Sequence, residues 1–493
     1  MIGPVNVSKK IVTKNAEEAI QKLRKIACRA EQRQNDVYAM EAVRAAANLQ
    51  YIYNQWYVDD VCEEVLHSIA RRMQSPTYRA DEADEKTILF YDSFGLDTRG
   101  LAIIYLKALA DLGYRVVYLT QDSAVGSQPQ IHKETKGKDI IFLYLPSHSN
   151  SYRKNKKIIS IFAQYRPSKA FFYCTPDDVA ACVAFDCYAG VVHRYQINLT
   201  DHAFWLGKYA WDTCIEFRNY GACISAYHRG VPQEKIHVLP YYPYADLDMP
   251  FGGFPSGMEG HPVLFSGGSL YKTMGDDGRY YVMVRKILQQ NPELVFLYAG
   301  TGDTSGLEVL QRDFPGRCYH IEERQDLFQL MEHVDLYLNT YPVCGGLMSQ
   351  YAARAGKVPL LLRKTGEDGL EGILLHPETM DIEFESMEDL VAEAHHILCD
   401  SDYASETSAK VREKIITEAK FKYALSRLLK QGNTGFAVDM HPIDTSEFRK
   451  TYADNLSQYQ VDGTLFVPKR SLRLSVHFLG AGLRRWRKKW FKR

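Results

Sequence analysis

Several groups of residues in this 493-residue chain have types and spacings suited to holding an anion or moving a proton. In Ser266-Gly267-Gly268-Ser269-Leu270-Tyr271-Lys272, an apolar run ends in small residues that let a ligand approach the backbone. Lys272 then places a compact charge where a pyrophosphate could lie. From Asp335 to Pro359 the order is strand, a loop holding Cys344, Gly345 and Gly346, a helix from Ser349 to Ala355, and another strand. Helix N-terminal amides lack partners within the helix and suit a diphosphate, with the Ser349 hydroxyl beside them. Gly300 and Gly302 make a third glycine loop at a strand end. His202 follows the apolar stretch GVVHRYQINL, so it should stand at the carboxyl end of a strand, where open α/β folds bind ligands. It is the acid/base candidate, with Asp201 adjoining it.

Other residues carry two readings or a bland one. Gly95, Asp97 and Arg99 lie in a loop after an earlier strand, where ligand contact competes with helix capping, since Asp and Thr are ordinary N-cap residues. His193 lies inside its strand and is expected to be packed. Asp246-Leu247-Asp248 sits in a proline-rich approach to a linker and reads as a turn. The ten cysteines include no CxxC pair and no His-x3-His partner, so no metal site is expected and most thiols should be reduced core residues.

The elements that must position these residues alternate. Residues 1–85 form a helical accessory region, with apolar residues such as Ile20, Leu23, Val43, Ala46, Val65 and Ile69 at helical spacing, and Gln74 to Glu85 as a polar linker. From Lys86 to Tyr91 an apolar run precedes a loop, a helix and the strand RVVYLT, the spacing of a βαβ unit. Further strands are expected at DIIFLYL, KAFFYC, GVVHRYQINL, TCIEFR and KIHVLPYYP, giving an α/β domain over 86–250. Met249 to His261 is rich in proline and glycine and reads as an interdomain linker. Alternating units then resume, so a second doubly wound domain spans 256–430, followed by an extension over 431–493.

Three segments resemble one family, the glycosyltransferases of GT-B architecture. Gly230 to Pro240 (GVPQEKIHVLP) resembles the stretch closing their N-terminal domain. The Leu270-Tyr271-Lys272 tripeptide resembles the phosphate-binding lysine segment of the O-GlcNAc transferase group and its bacterial relatives, and Asp335 to Pro359 resembles their glycine-rich loop and helix. The chain departs from them at Leu347 and Met348, where they carry hydroxyl side chains, and near Tyr351, where they carry an acid for the ribose. Ribose contact could move to Glu367, Asp368 or Glu371.

The resemblance implies a GT-B fold, two Rossmann-like domains facing a cleft, without tetratricopeptide repeats. It implies a nucleotide-sugar co-substrate, UDP-linked, the first domain on the acceptor side, and no metal or other cofactor. An acceptor hydroxyl would be oriented and deprotonated while the diphosphate leaves, its charge offset by Lys272 and helix dipoles. Gly95, Asp97 and Arg99 would line the cleft.

Bulk properties narrow the partners. Hydrophobic residues make up 46% and charged residues 24%, which excludes global disorder. Sixty basic residues balance sixty acidic ones, so no general attraction to nucleic acid exists. No secretory signal and no run of about 18 apolar residues is seen, so a cytoplasmic protein is expected. The tail is different: its last ten residues include seven basic ones, interleaved with Trp486, Trp490 and Phe491. Such a basic amphipathic stretch suits an anionic membrane surface. That favours a lipid-linked saccharide acceptor in surface polysaccharide assembly. The alternatives are a protein O-glycosyltransferase or a catalytically inactive GT-B-like scaffold.

Overall fold

The computed structural model describes residues 9–73, 76–98, 100–363, 382–450 and 472–478. Arg99, Glu367, Asp368 and Glu371 lie outside them, as does the tail beyond Phe478.

Among the described residues the first sheet has seven strands: β1 (Asp84–Asp92), β2 (Arg115–Gln121), β3 (Ile140–Leu145), β4 (Pro167–Tyr173), β5 (His193–Asn198), β6 (Thr213–Glu216) and β7 (Ile236–Val238). Their order is β3-β2-β1-β4-β5-β6-β7, and the pairings from β3 through β6 are parallel. Ile88, Leu89, Phe90 and Tyr91 of β1 are all fully buried. An unbroken apolar run of this kind marks a strand covered on both faces rather than one with a wet face. The chain order reverses between β1 and β4, and ligands of open parallel sheets bind at such a switch point.

The N-terminal region folds as three helices, Lys9–Gln32, Asp36–Tyr53 and Asp60–Arg72. Asn35 and Asp59 cap the second and third, accepting from the main-chain N–H of Tyr38 and Cys62. Helix Asp60–Arg72 packs on helix Val179–Asp186 of the sheet layer, and Met1–Glu216 belongs to one compact unit with Gly221–His237. The segment expected as a linker over 74–85 is partly structured. Tyr78 donates to the Pro167 carbonyl, Ala80–Glu82 forms a 3-10 turn, and the Asp84 N–H bonds Arg166 to start β1.

The second unit comprises Val238–Thr451 with Phe217–Tyr220. Its sheet, β8 (Val263–Gly267), β9 (Val295–Ala299), β10 (Cys318–Ile321), β11 (Leu336–Leu338), β12 (Pro359–Leu362) and β13 (Glu383–Phe384), runs β10-β9-β8-β11-β12-β13 and is parallel. Alternation along β8 sends Leu264 to a core under helix Arg279–Gln290, and Val263 and Phe265 to a core under helix Gly346–Arg354. The switch point lies between β8 and β11. Residues 249–261, expected as a linker, are bound to this unit: Met258 is buried, and Gly252 and Gly253 bond Asp326 and Arg324.

Candidate functional site

In the second unit, the loops after β8 and β11 meet at the switch point. The Lys272 ammonium donates to the Cys344 carbonyl at 3.3 Å, and the Val343 N–H bonds the Lys272 carbonyl. Burial holds the lysine pKa below its ordinary range. The loop after β9 closes on the loop after β8: Gly268 N–H bonds Ala299, Leu270 N–H bonds Thr301, and Tyr298 donates to the Gly268 carbonyl. Gly300 is required there, because a Cβ would lie 1.9 Å from the Gly268 carbonyl oxygen. His320 at the end of β10 bonds the Gly300 carbonyl at 2.7 Å. Ser269 and Gly302 are exposed on the rim.

Helix Gly346–Arg354 starts three residues earlier than the spacing predicts. Asn339, at the end of β11, causes this: its carbonyl oxygen accepts from the N–H of Thr340 and Gly345 at 2.8 and 2.7 Å, and its amide donates to Ser349 Oγ at 2.6 Å. Ser349 is therefore buried and bonded to Asn339. The amides of Gly346, Leu347 and Met348 are the first three of the helix, where no intrahelical acceptor exists. Met348 packs into the core with Leu347 against it, and the Tyr351 hydroxyl donates to the Tyr244 carbonyl. Where relatives were expected to present hydroxyls and an acid, this chain presents packed side chains. The cationic and free N–H groups at this place are Lys272 and the first backbone amides of the helix.

In the first unit, the loop after β5 carries His202. The side chain is 31% exposed, whereas Asp201 is fully buried, so His202 alone of the pair reaches solvent. His202 Nδ1 lies 3.2 Å from Asp201 Oδ1, which suits an orienting carboxylate. Behind the pair is a buried charge cluster. Arg229 donates to the carbonyls of Thr200, Asp201 and Ala203, and stacks on Tyr57 and Trp205. Glu216 accepts from Asn198 and Ser225, and burial raises its pKa, with Arg229 opposing and Asp201 reinforcing. The two carboxylates bracket Gly221, whose Cβ would lie 2.5 Å from Glu216 Oε2 and 3.0 Å from Asp201 Oδ2.

The strand-end loops of this sheet are tied together. Thr175 N–H bonds Ser93 Oγ at 2.6 Å, joining the loops after β1 and β4, and Leu206 N–H bonds Pro176, joining the loops after β4 and β5. Gly95 N–H bonds the buried Asp92, whose pKa burial raises to about 6. Asp97 accepts from the N–H of Gln130 and Ile131, so it caps helix Pro129–Glu134 rather than its own. His193 corrects an expectation. It is exposed and bonded to the Thr213 hydroxyl, because it begins β5 at the edge opposite the strand carboxyl ends. Asp246-Leu247-Asp248 forms a turn, with Asp248 N–H on Asp246 Oδ1.

Sequence reasoning missed Asn339, Arg229 and Glu216. Asn339 had a local signal, an amide at a strand end just before a glycine loop. Arg229 and Glu216 had none, since their partners are distant in the chain.

No protein-family model and no curated protein matches the chain. Solved structures do resemble it. A mutant O-GlcNAc transferase from Thermobaculum terrenum aligns over 91% of this chain and 83% of its own, with a TM-score of 0.51 at 13% identity. A glycosyltransferase from Rickettsia africae aligns over 71% of this chain and 98% of its own, also at 0.51 and 13%. The fold is the two-sheet α/β fold called GT-B.

Proposed function

We propose that the chain is a glycosyltransferase that moves a sugar from a nucleotide diphosphate sugar, UDP-linked, to an acceptor hydroxyl. The observation carrying this reading is the convergence of Lys272, the Cys344 loop and the first amides of helix Gly346–Arg354 at the β8/β11 switch point. A diphosphate placed there meets one cation and several N–H donors, which offset the charge that grows as it leaves. The two solved structures of the same fold are an O-GlcNAc transferase and a glycosyltransferase, which supports the reaction class. His202, oriented by Asp201, takes the proton of the acceptor hydroxyl. No metal is needed in this scheme, because Lys272 and the helix terminus supply the positive potential. A basic, aromatic tail supports work at the inner face of a membrane on a lipid-linked saccharide, as in surface polysaccharide assembly; a protein acceptor is the alternative.

One observation favours a second reading, a nucleotide-binding scaffold without transferase activity. Leu347, Met348 and Tyr351 are packed or bonded internally, so hydroxyl and acidic contacts to the nucleotide are lacking at those positions.

The test is a panel of nucleotide sugars read by thermal shift, then by hydrolysis and transfer. A true donor at about 100 times its Kd should stabilise by about 2.7 kcal/mol. Lys272→Ala should weaken uridine diphosphate binding about tenfold or more, the scale of one lost charged hydrogen bond. Unchanged affinity rejects the site. Binding without hydrolysis or transfer favours the scaffold.

A further inference from the structure

The loop that carries His202 is held from the N-terminal helices. Asn54, 2% exposed, ends helix Asp36–Tyr53 in the left-handed conformation at φ 49°, and its side-chain amide donates to the His202 carbonyl at 3.2 Å. Glu63 of helix Asp60–Arg72 is buried, and its two oxygens accept from the N–H of Gly207 and Lys208 at 2.9 and 3.1 Å. The flanking contacts repeat the pattern: Lys208 pairs with Asp60, and the Tyr209 hydroxyl with Glu64. Tyr57 stacks on Arg229, the residue that gathers the carbonyls of Thr200, Asp201 and Ala203.

A buried polar group persists only where its partner is present, because an orphaned donor or acceptor carries its full desolvation cost. Asn54 and Glu63 both aim side chains at the main chain of one short loop. Neither contact serves the helix that supplies it. Without these two residues, the carbonyl of His202 and the amides of Gly207 and Lys208 would lose their partners together.

We infer that Asn54 and Glu63 are positioning residues for His202, and that the N-terminal helices form a clamp that fixes the angle at which the imidazole leaves the first unit. This rests on the reading of His202 as the proton acceptor. It assigns the helices a part in the site rather than an accessory one.

The experiment uses the full chain carrying Asn54→Gly or Glu63→Gln. Glycine keeps the left-handed helix end and removes the buried side chain with its amide donor. Glutamine keeps one acceptor and loses the other. The direct readout is the rate at which diethyl pyrocarbonate modifies His202, followed by mass spectrometry of its peptide, with circular dichroism as the folding control. Each variant should raise that rate about threefold to tenfold, the population shift that one lost hydrogen bond allows. Turnover on the donor sugar should fall while the Kd for uridine diphosphate stays constant. A His202 rate within twofold of the parent in both folded variants overturns the clamp. A raised rate with His202→Ala leaving turnover intact leaves the clamp standing and removes the catalytic reading instead.

Discussion

Replacing Glu63 with glutamine should flatten the decline in stability of the first unit between pH 5 and pH 8. Burial pushes the Glu63 carboxyl from its ordinary 4.5 up to about 8, and the N–H groups of Gly207 and Lys208 oppose that rise without cancelling it. The charged neighbours are Asp59, which raises it further, and Lys208, which lowers it. The folded protein therefore holds a proton that the unfolded chain releases over this window. Stability is full below about pH 4.5 and falls as pH climbs towards 8. At about 1.4 kcal/mol per tenfold change, the loss is about 3 to 5 kcal/mol. Glutamine does not titrate, so its curve should lack this component. It should also start about 1 to 3 kcal/mol lower at pH 5, since one N–H loses its acceptor. The two curves then approach or cross near pH 8.

Urea titrations from pH 5 to 8 provide the assay, and the probe is selective. The three tryptophans among the described residues, Trp56, Trp205 and Trp211, fall in the first unit, so their fluorescence follows its unfolding. Because groups away from Glu63 titrate identically in parent and variant, the difference between the curves isolates Glu63 together with its coupling to Asp59 and Lys208. Parallel curves across the window would refute the reasoning.

Three further outcomes are expected. His202→Ala should lower turnover about 10²-fold, the usual scale of acid/base catalysis, while uridine diphosphate affinity measured by calorimetry is kept; turnover within threefold of the parent would make His202 a loop residue. Gly300→Ala should cost about 3 kcal/mol or more in urea, because the new Cβ meets main-chain oxygen that cannot move aside, and an alanine variant as stable as the parent would contradict that packing. Removing residues 482–493 should abolish sedimentation with anionic vesicles but spare donor hydrolysis, and attachment of the intact chain should weaken as salt shortens the Debye length from about 10 to 3 Å; a truncated chain that still sediments would place the membrane contact elsewhere.

Local pattern carried the architecture a long way. Seven apolar runs in the first α/β region became strands, because a strand buried on both faces needs an unbroken apolar run that few other elements need. Lys272 and the 335–359 segment were legible for a similar reason: small residues at a strand end and a helix start are local features. The strand at β5 was less so, since a run of apolar residues does not reveal where it enters the sheet, and His193 was misjudged by that margin. Only the tertiary structure decided which loops meet. Parallel strand order is a matter of crossover connections, so the adjacency of β8 and β11, which brings Lys272 to Cys344, is invisible in either segment alone. The same holds for His202, whose support comes from Asn54, 148 residues away, and for the amide of Gly207, which Glu63 holds from 144 residues away. A buried asparagine or glutamate on a helix looks like any other polar residue until folding removes water and leaves one partner within reach.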